Sequence, residues 1–307
     1  MQQDNQPSCE AFRAGFVSMI GRPNVGKSTL VNELIGQKIT ITAPRPQTTR
    51  HRIHAIKSTS CYQIVLVDTP GLHQGIRKSL NRYMNRAAKS ALVDVDAVVF
   101  VVEANKWTRE DEAVARLLSD VKVPIIVAIN KVDRVKAKYD LLPFIEKVAN
   151  KVKAKAVVPV SAYRKINLDA LEQEIVACLP EQPAIFPQDY VTDRPTRFLV
   201  AEIIREKLMR YLGDEVPYGT TVEVEQMQWD EAAQRWVIHA TIMVERTGQK
   251  AIVIGEDGRL IKKIGTEARQ DIINLLDARV HLELWVKVKS NWSDDDRALA
   301  SLGYNEV

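Results

Sequence analysis

The sequence predicts two folded domains: an α/β domain on an open, mostly parallel sheet, then a smaller α+β domain with a three-stranded sheet. Three observations carry this. Continuous apolar runs at 15–20, 61–67, 95–102, 124–130 and 156–162 alternate with helical stretches, as in a parallel sheet covered on both faces. Residues 180–195 (PEQPAIFPQDYVTDRP) hold four prolines and no clean periodicity, which marks a linker. Beyond them the order becomes helix, strand, strand, helix, strand. The expected divisions are an N-terminal tail over 1–12, a first domain over 13–180, a linker over 181–195, and a second domain with a C-terminal tail over 196–307.

The elements follow in order. GFVSMI at 15–20 is a buried strand running into a glycine-rich turn, and STLVNELIG at 28–36 has helical spacing. CYQIVLV at 61–67 is a strand that ends at Asp68, and VDAVVFVV at 95–102 and PIIVAIN at 124–130 are two more. REDEAVARLLSD at 109–120 is helical, AVVPVSA at 156–162 supplies a last strand, and LDALEQEIVACL at 168–179 a last helix. In the second domain RFLVAEIIREKLMRYL at 197–212 reads as a strongly amphipathic helix. TTVEVEQMQW at 220–229 and VIHATIMVER at 237–246 alternate like neighbouring strands. AIVIG reads as a short apolar strand leading into an EDG turn, and LIKKIGTEARQDIINLL at 260–276 is helical. VHLELWVKVK at 280–289 sets Val280, Leu282, Leu284, Val286 and Val288 on one face. Trp285 is out of phase with them. It is expected to cover a helix or the domain junction, with base stacking as the alternative. SDDD at 293–296 is expected to begin a terminal helix capped by Ser293.

Composition narrows the class. The chain has 307 residues, 46% hydrophobic and 27% charged, an ordinary soluble balance with length for two domains. Its first twelve residues have neither a basic n-region nor an apolar core, and its apolar runs are far too short to span a bilayer. Cys9, Cys61 and Cys178 are odd in number and scattered, so reduced thiols in a cytoplasmic setting are expected. The net charge of +4 is unevenly spread. Residues 1–194 hold 28 basic and 20 acidic side chains, whereas 195–307 hold 15 and 19. Any attraction of the second half to phosphate must therefore come from a local patch.

Four strings in fixed order specify chemistry. GRPNVGKS at 21–28 matches G-x-x-x-x-G-K-[ST] between a strand and a helix. Its backbone N–H groups can cradle a β-phosphate at a helix N-terminus. Lys27 should bridge β- and γ-phosphate oxygens, and Ser28 should ligate Mg²⁺. In DTPG at 68–71, Asp68 can hold a magnesium-bound water, and Gly71 can offer its N–H to a γ-phosphate. NKVD at 130–133 selects the base. Asp133 can accept from guanine N1–H and the N2 amine, whereas adenine would leave it facing a lone pair. Asn130 and Lys131 can brace the loops and cover the ring, and Ser161-Ala162 can give a backbone N–H to guanine O6. The threonine- and arginine-rich stretch 40–52 fits a switch loop. Thr49 is the candidate to complete the metal shell, with Thr48 as competitor. The expected nucleotide contacts are Gly21, Arg22, Pro23, Asn24, Val25, Gly26, Lys27, Ser28 and Thr29, then Asp68, Thr69, Pro70, Gly71 and Leu72, then Asn130, Lys131, Val132, Asp133, Ser161 and Ala162. Leu72 cannot orient a water as a glutamine would. Asn24 is a candidate ligand for a monovalent cation such as K⁺ beside the phosphates.

A fifth string, GEDG at 255–258, precedes a helix. Gly255 and Gly258 allow a sharp turn and close backbone approach, with Glu256 and Asp257 between them. RNA phosphates could lie against the turn and the helix start, next to Arg259, Lys262 and Lys263. The two acidic residues oppose phosphate.

GRPNVGKSTL, PQTTRHR, DTPGLH, NKVD, FPQDYVTDR, EIIREKLMR and HLELWVKVKS together resemble the Era family of bacterial GTPases over nearly the whole chain. The resemblance implies a P-loop GTPase domain with a mostly parallel sheet, followed by an α+β KH domain of type II. It implies magnesium-dependent GTP hydrolysis without the usual glutamine. It also implies binding near the 3′ end of 16S rRNA, a role in 30S subunit maturation, and peripheral contact with the inner membrane. A cytoplasmic monomer is expected. Family members commonly carry a basic residue inside the G-x-x-G turn, so Glu256 and Asp257 are expected to weaken the phosphate contact. The alternative reading is a membrane-associated regulatory GTPase acting through protein partners. A GTP-dependent RNA-modifying enzyme would need a further catalytic site, and no string supplies one.

Overall fold

The computed structural model describes residues 11–71, 79–136, 138–213 and 215–304. Described residues within Met1–Thr40, Thr49–Gly75 and Met84–Asp193 pack as one unit, and those within Ile41–Thr48, Ile76–Tyr83 and Arg194–Val307 as a second.

The first unit is built on strands β1 (Arg13–Ile20), β2 (Ile53–Ser58), β3 (Tyr62–Asp68), β4 (Ala97–Glu103), β5 (Ile125–Asn130) and β6 (Ala156–Pro159). Their spatial order is β2-β3-β1-β4-β5-β6. All neighbours are parallel except β2 and β3. The antiparallel edge strand β2 has no counterpart in the sequence reading, because IHAIKS is short and mixed in polarity. Helices α1 (Lys27–Ile35), α2 (Ser79–Ser90, in this unit from Met84 on), α3 (Arg109–Leu118) and α4 (Leu141–Lys151) connect the strands, and α5 (Leu168–Val176) follows β6. The apolar runs end up buried: Val98, Phe100 and Val102 of β4 and Val127 and Ile129 of β5 pack against Val114 and Leu118 of α3 and Val148 of α4. Cys61 is disulfide-bonded, contrary to the expected free thiol, whereas Cys178 is free.

The proline-rich stretch is bound along the sheet edge. Gln182 N–H donates to Phe12 O, and Ile185 and Phe186 N–H both donate to Gln63 Oε1. Ile56 N–H donates to Val191 O, and Thr192 forms a bridge with Ala55. Prolines remove donors, but the intervening residues still supply them.

The second unit contains α6 (Thr196–Tyr211), β7 (Thr220–Asp230), β8 (Arg235–Val244), α7 (Thr247–Ile254), α8 (Arg259–Leu276), β9 (Val280–Val288) and α9 (Asp296–Ser301). The sheet order is β7-β8-β9, with β7/β8 antiparallel and β8/β9 parallel. Its core joins Val200, Ile204 and Leu208 of α6 to Ile238, Ala240 and Ile242 of β8 and Ile264, Ala268 and Ile272 of α8.

Four local readings are corrected. AIVIG is the end of helix α7, not a strand; a short apolar run carries no period that separates the two. Helix α6 is not simply amphipathic, for Glu202, Arg205, Glu206 and Lys207 are buried as well as its apolar face. Asp295, not Ser293, caps α9, accepting from Arg297 and Ala298 N–H. Trp285 is 42% exposed and meets His239 edge-on at 5.1 Å, on the opposite side of β9 from core residue Val286.

Candidate nucleotide site and nucleic-acid groove

Parallel register gathers the nucleotide strings. Met19 pairs with Asp68 across β1/β3, and Glu103 pairs with Asn130 across β4/β5. The loops after β1, β3, β5 and β6 thus share the carboxyl edge of the sheet, where open α/β folds bind ligands.

Residues 21–26 turn the chain from β1 into α1. Asn24 (φ 62°) and Gly26 (φ 99°) are left-handed. A Cβ on Gly26 would lie 2.4 Å from Asn130 Nδ2, so that position needs glycine for space as well as angle. Lys27 Nζ donates to Gly21 O at 2.9 Å and Arg22 O at 3.1 Å. Two of its three donors are used this way. Burial lowers its pKa to about 8, with Asp68 opposing the shift and Arg22 adding to it.

Ser28 Oγ donates to Asp68 Oδ2 at 2.9 Å and lies 2.8 Å from Thr49 Oγ1. Thr49 Oγ1 is itself 3.3 Å from that carboxylate oxygen. Thr48 instead turns its hydroxyl to Arg45 O at 2.7 Å. Thr49 is therefore the threonine beside Ser28 and Asp68. Burial raises the Asp68 pKa, against the pull of Lys27 and the two hydroxyls. Asp68 Oδ1 is buried and has no hydrogen-bond partner among the described residues. Two hydroxyls and a carboxylate with an orphaned oxygen form a hard donor set that fits Mg²⁺. Thr69 Oγ1 ties the string to β1 through Met19 O at 2.8 Å. Pro70 and Gly71 are buried, and a Cβ on Gly71 would press on Pro23 at 2.9 Å. Leu72 lies outside the described residues.

Asn130 is the joint of the base loops. Its Nδ2 donates to Val25 O at 2.9 Å, and its Oδ1 accepts from Lys131 N–H at 2.8 Å and Ala162 N–H at 3.0 Å. Of the Ser161-Ala162 pair expected to give a backbone N–H to guanine O6, Ser161 N–H already donates to Ile166 O and Ala162 N–H to Asn130; a base oxygen would share one of them. Lys131 Nζ reaches Asn24 O at 2.6 Å, and Val132 N–H donates to Val160 O. Ser161 Oγ donates to Asp133 Oδ1, which orients that carboxylate. Thr29 continues α1 one residue beyond Ser28.

The sequence reading missed a buried cluster behind the phosphate loop. The Arg22 side chain donates to Glu103 Oε2 at 2.7 Å and Asp111 Oδ2 at 3.1 Å. Burial works against the Glu103 carboxylate, but Arg22 and Lys131 outweigh it and hold its pKa below the usual range. Asp111 is also the fourth residue of a capping box with Thr108 at the start of α3. The signals were present: T-x-x-D at 108–111 has capping-box spacing, and Glu103 is the first polar residue after the β4 apolar run. Next to this cap, Trp107 Nε1 donates to Glu112 Oε2 at 2.8 Å, and its ring meets Phe100 edge-on.

In the second unit, α7 and α8 are joined by Gly255–Gly258. Gly255 has φ 72°, and a Cβ there would lie 2.6 Å from Leu260 Cβ. Asp257 (φ 52°) and Gly258 (φ 73°) are also left-handed. The Glu256 and Asp257 side chains are 82% and 78% exposed, and Arg259 lies 3.7 Å and 3.4 Å from their carboxylates. Lys262 lines a groove of about 310 Å³ with Ile261, Gly265, Thr266, Arg269, Leu282 and Leu284. Lys263 does not line it; its ammonium sits 4.2 Å from the centroid of the Tyr211 ring. Apart from Lys262, the groove residues went unread because their signal is helical spacing, 261/265 and 262/266/269, opposite β9.

Both parts of the chain have relatives among known proteins. Residues 16–131 match the family model described as 50S ribosome-binding GTPase, and residues 215–293 match the KH domain model. GTPase Era of Glaesserella parasuis serovar 5 (strain SH0165) is 54% identical, covering 94% of this chain and 96% of that protein. GTPase Era of Yersinia pestis (strain Pestoides F) is 53% identical, covering 97% and 98%. A crystal structure of an Aquifex aeolicus Era variant bound to GDP and AlF4⁻ has a TM-score of 0.92 at 36% identity, covering 95% of this chain and 99% of that one. So does a structure of Era with MgGDPNP and nucleotides 1506–1542 of 16S ribosomal RNA, at 37% identity and the same coverage. The chain belongs to the Era family of GTPases.

Proposed function

We propose that the chain is a GTP-hydrolysing switch whose nucleotide state controls binding of single-stranded RNA from the 3′ region of 16S rRNA, in a precursor of the 30S subunit. One observation carries this reading. Segment 41–48 packs in the unit that bears the RNA groove, while the next residue, Thr49, sits with Ser28 and Asp68 in the other. A loop so divided can relate phosphate state to RNA state. The Era structure with MgGDPNP and 16S RNA supports the choice of both ligands.

The residues take these roles. Residues 13–180 carry the nucleotide function and 196–307 the KH function. Lys27 and the N–H groups of 21–29 hold the phosphates, Asp133 reads guanine, and Asn130 keeps the base and phosphate loops in register. Ser28 and Thr49 would hold Mg²⁺ directly and Asp68 through water, and the bound ion would offset charge on the β- and γ-phosphates. Asn24 would add K⁺ beside them. Leu72 offers no polar atom to orient water, so positioning falls to backbone such as Gly71 and to that cation. RNA phosphates would lie against Gly255–Gly258 and Lys262, with bases over Ile261, Leu282 and Leu284. The apolar face of α6 is spent in the core, which leaves it none to offer a membrane.

The test is binding of a short single-stranded RNA matching the 16S 3′ end, in the presence of GTP analogue, of GDP and of neither. Tight binding that depends on the analogue is expected. Binding indifferent to nucleotide would remove the switch. Exchange of K⁺ for Na⁺ in the hydrolysis assay should slow turnover, and an unchanged rate would remove the Asn24 assignment.

A further inference from the structure

Helix α6 carries an uncommon set of buried charges. Glu206 is wholly buried, Arg205 is 1% exposed and Lys207 is 3% exposed. Buried charge is costly unless something specific is held by it. Here it grips backbone. Glu206 Oε1 accepts from Thr42 N–H at 2.9 Å and from Thr42 Oγ1 at 3.3 Å. Arg205 is locked by a two-pronged pairing with Glu202, both contacts at 2.6 Å, and its Nη2 donates to the carbonyl of Thr48. The two contacts bracket segment 42–48. Within it, Gln47 is left-handed (φ 59°) and the Thr48 hydroxyl closes a turn onto Arg45 O.

The Thr48 carbonyl and the Thr49 N–H belong to one planar peptide. Fixing that carbonyl therefore fixes the direction in which Thr49 leaves, and Thr49 Oγ1 is the atom at Ser28 and Asp68. We infer that Arg205 and Glu206 are positioning residues for Thr49, setting from α6 how well the Ser28–Thr49–Asp68 oxygens receive magnesium with a triphosphate. The inference rests on the metal assignment proposed above. Glu206 is the outer anchor at Thr42, six residues from Thr48, and Arg205 the inner one.

The test uses the full chain and a fluorescent GDPNP analogue. Its dissociation rate is followed against Mg²⁺ concentration, which reads binding rather than hydrolysis. Arg205→Met should raise the Mg²⁺ concentration for half-maximal retention of the triphosphate analogue roughly tenfold. Retention of either nucleotide in EDTA should not change. Arg205→Lys, which keeps the charge beside Glu202 but not the planar fork, should restore only part of the loss. Glu206→Gln keeps an acceptor for Thr42 and should restore most of it relative to Glu206→Ala. In a Thr49→Ala background the Arg205→Met effect should vanish, because the atom being positioned is gone. A folded Arg205→Met or Glu206→Ala protein with an unaltered Mg²⁺ dependence would overturn the inference. Should neither fold, Arg205→Lys and Glu206→Gln carry the same measurement. Ser28→Ala separates the two levels. If it too leaves Mg²⁺ dependence unaltered, the metal assignment fails; if it alone weakens it, only the role of Arg205 and Glu206 fails.

Discussion

The two ligand loops of this chain are built by opposite means. In the nucleotide loop Lys27 and Arg22 are buried, and Asn130 makes three hydrogen bonds that bind separate loops together. The G-x-x-G loop leaves Glu256, Asp257 and Arg259 mostly in solvent, and its shape rests on positive φ at Gly255, Asp257 and Gly258 plus the close approach of Gly255 to Leu260. One site holds its geometry by satisfied polar groups out of water, the other by backbone conformation. The first should fail when a partner is removed, the second when a dihedral is forbidden.

The largest break should come from Asn130→Ala. It strands the Val25 carbonyl and the Ala162 N–H, and unsatisfied buried groups cost about 1–3 kcal/mol. GTP affinity should fall roughly a hundredfold, about 2.7 kcal/mol, by titration calorimetry. A tenfold or smaller loss would mean the loops hold register without this joint.

Gly258→Asp should come next. Nothing lies within 4 Å of a Cβ there, so the penalty is not a clash. It is the left-handed backbone, about 1–2 kcal/mol for a residue with a side chain, plus an added negative charge. RNA affinity should drop about tenfold by fluorescence anisotropy, with nucleotide affinity retained. Equal loss of both would erase the contrast between the loops.

A smaller effect sharpens the buried side. The Lys27 pKa is lowered from 10.5 to about 8, so the unfolded chain holds more protons between those values. Stability of the nucleotide-free protein should therefore rise with pH from about 8 towards 10.5 as far as Lys27 contributes. Triphosphate favours the charged form, so binding above about pH 8 should take up protons and weaken as pH rises. Calorimetry in buffers of differing ionisation heat reads that uptake, and Lys27→Met should abolish it.

The smallest effect belongs to Glu256→Gln. The carboxylate is well solvated and paired only loosely with Arg259. Its removal should strengthen RNA binding about two- to threefold at low salt, and less at high salt. A tenfold gain would mean that this turn contacts phosphate more closely than its exposure suggests.

Most of the nucleotide site was legible because each string has one chemistry and follows an apolar strand. The string alone could not decide between Thr48 and Thr49, since both carry the hydroxyl; the structure sets Thr49 beside Ser28 and Asp68 and turns Thr48 onto Arg45. Less was legible where charge is buried. Glu202, Arg205, Glu206 and Lys207 read as the solvent side of a helix, and only packing reveals that they answer one another and residues 150 or more positions away. Helix α7 was hidden by its brevity and apolar uniformity, and edge strand β2 by its mixed polarity. The groove beside Gly265 needs α8 and β9 face to face before it exists.

Asp111 serves two masters, the cap of α3 and the arginine of the phosphate loop, and the indole of Trp107 sits one residue before that cap. The other four tryptophans all follow residue 228. Replacing those four with phenylalanine would leave Trp107 as the single tryptophan beside eight tyrosines, and its indole emission can be excited selectively at the red edge, without any attached dye. Ligand arrival could then be timed optically, from the start of the helix whose cap holds Arg22.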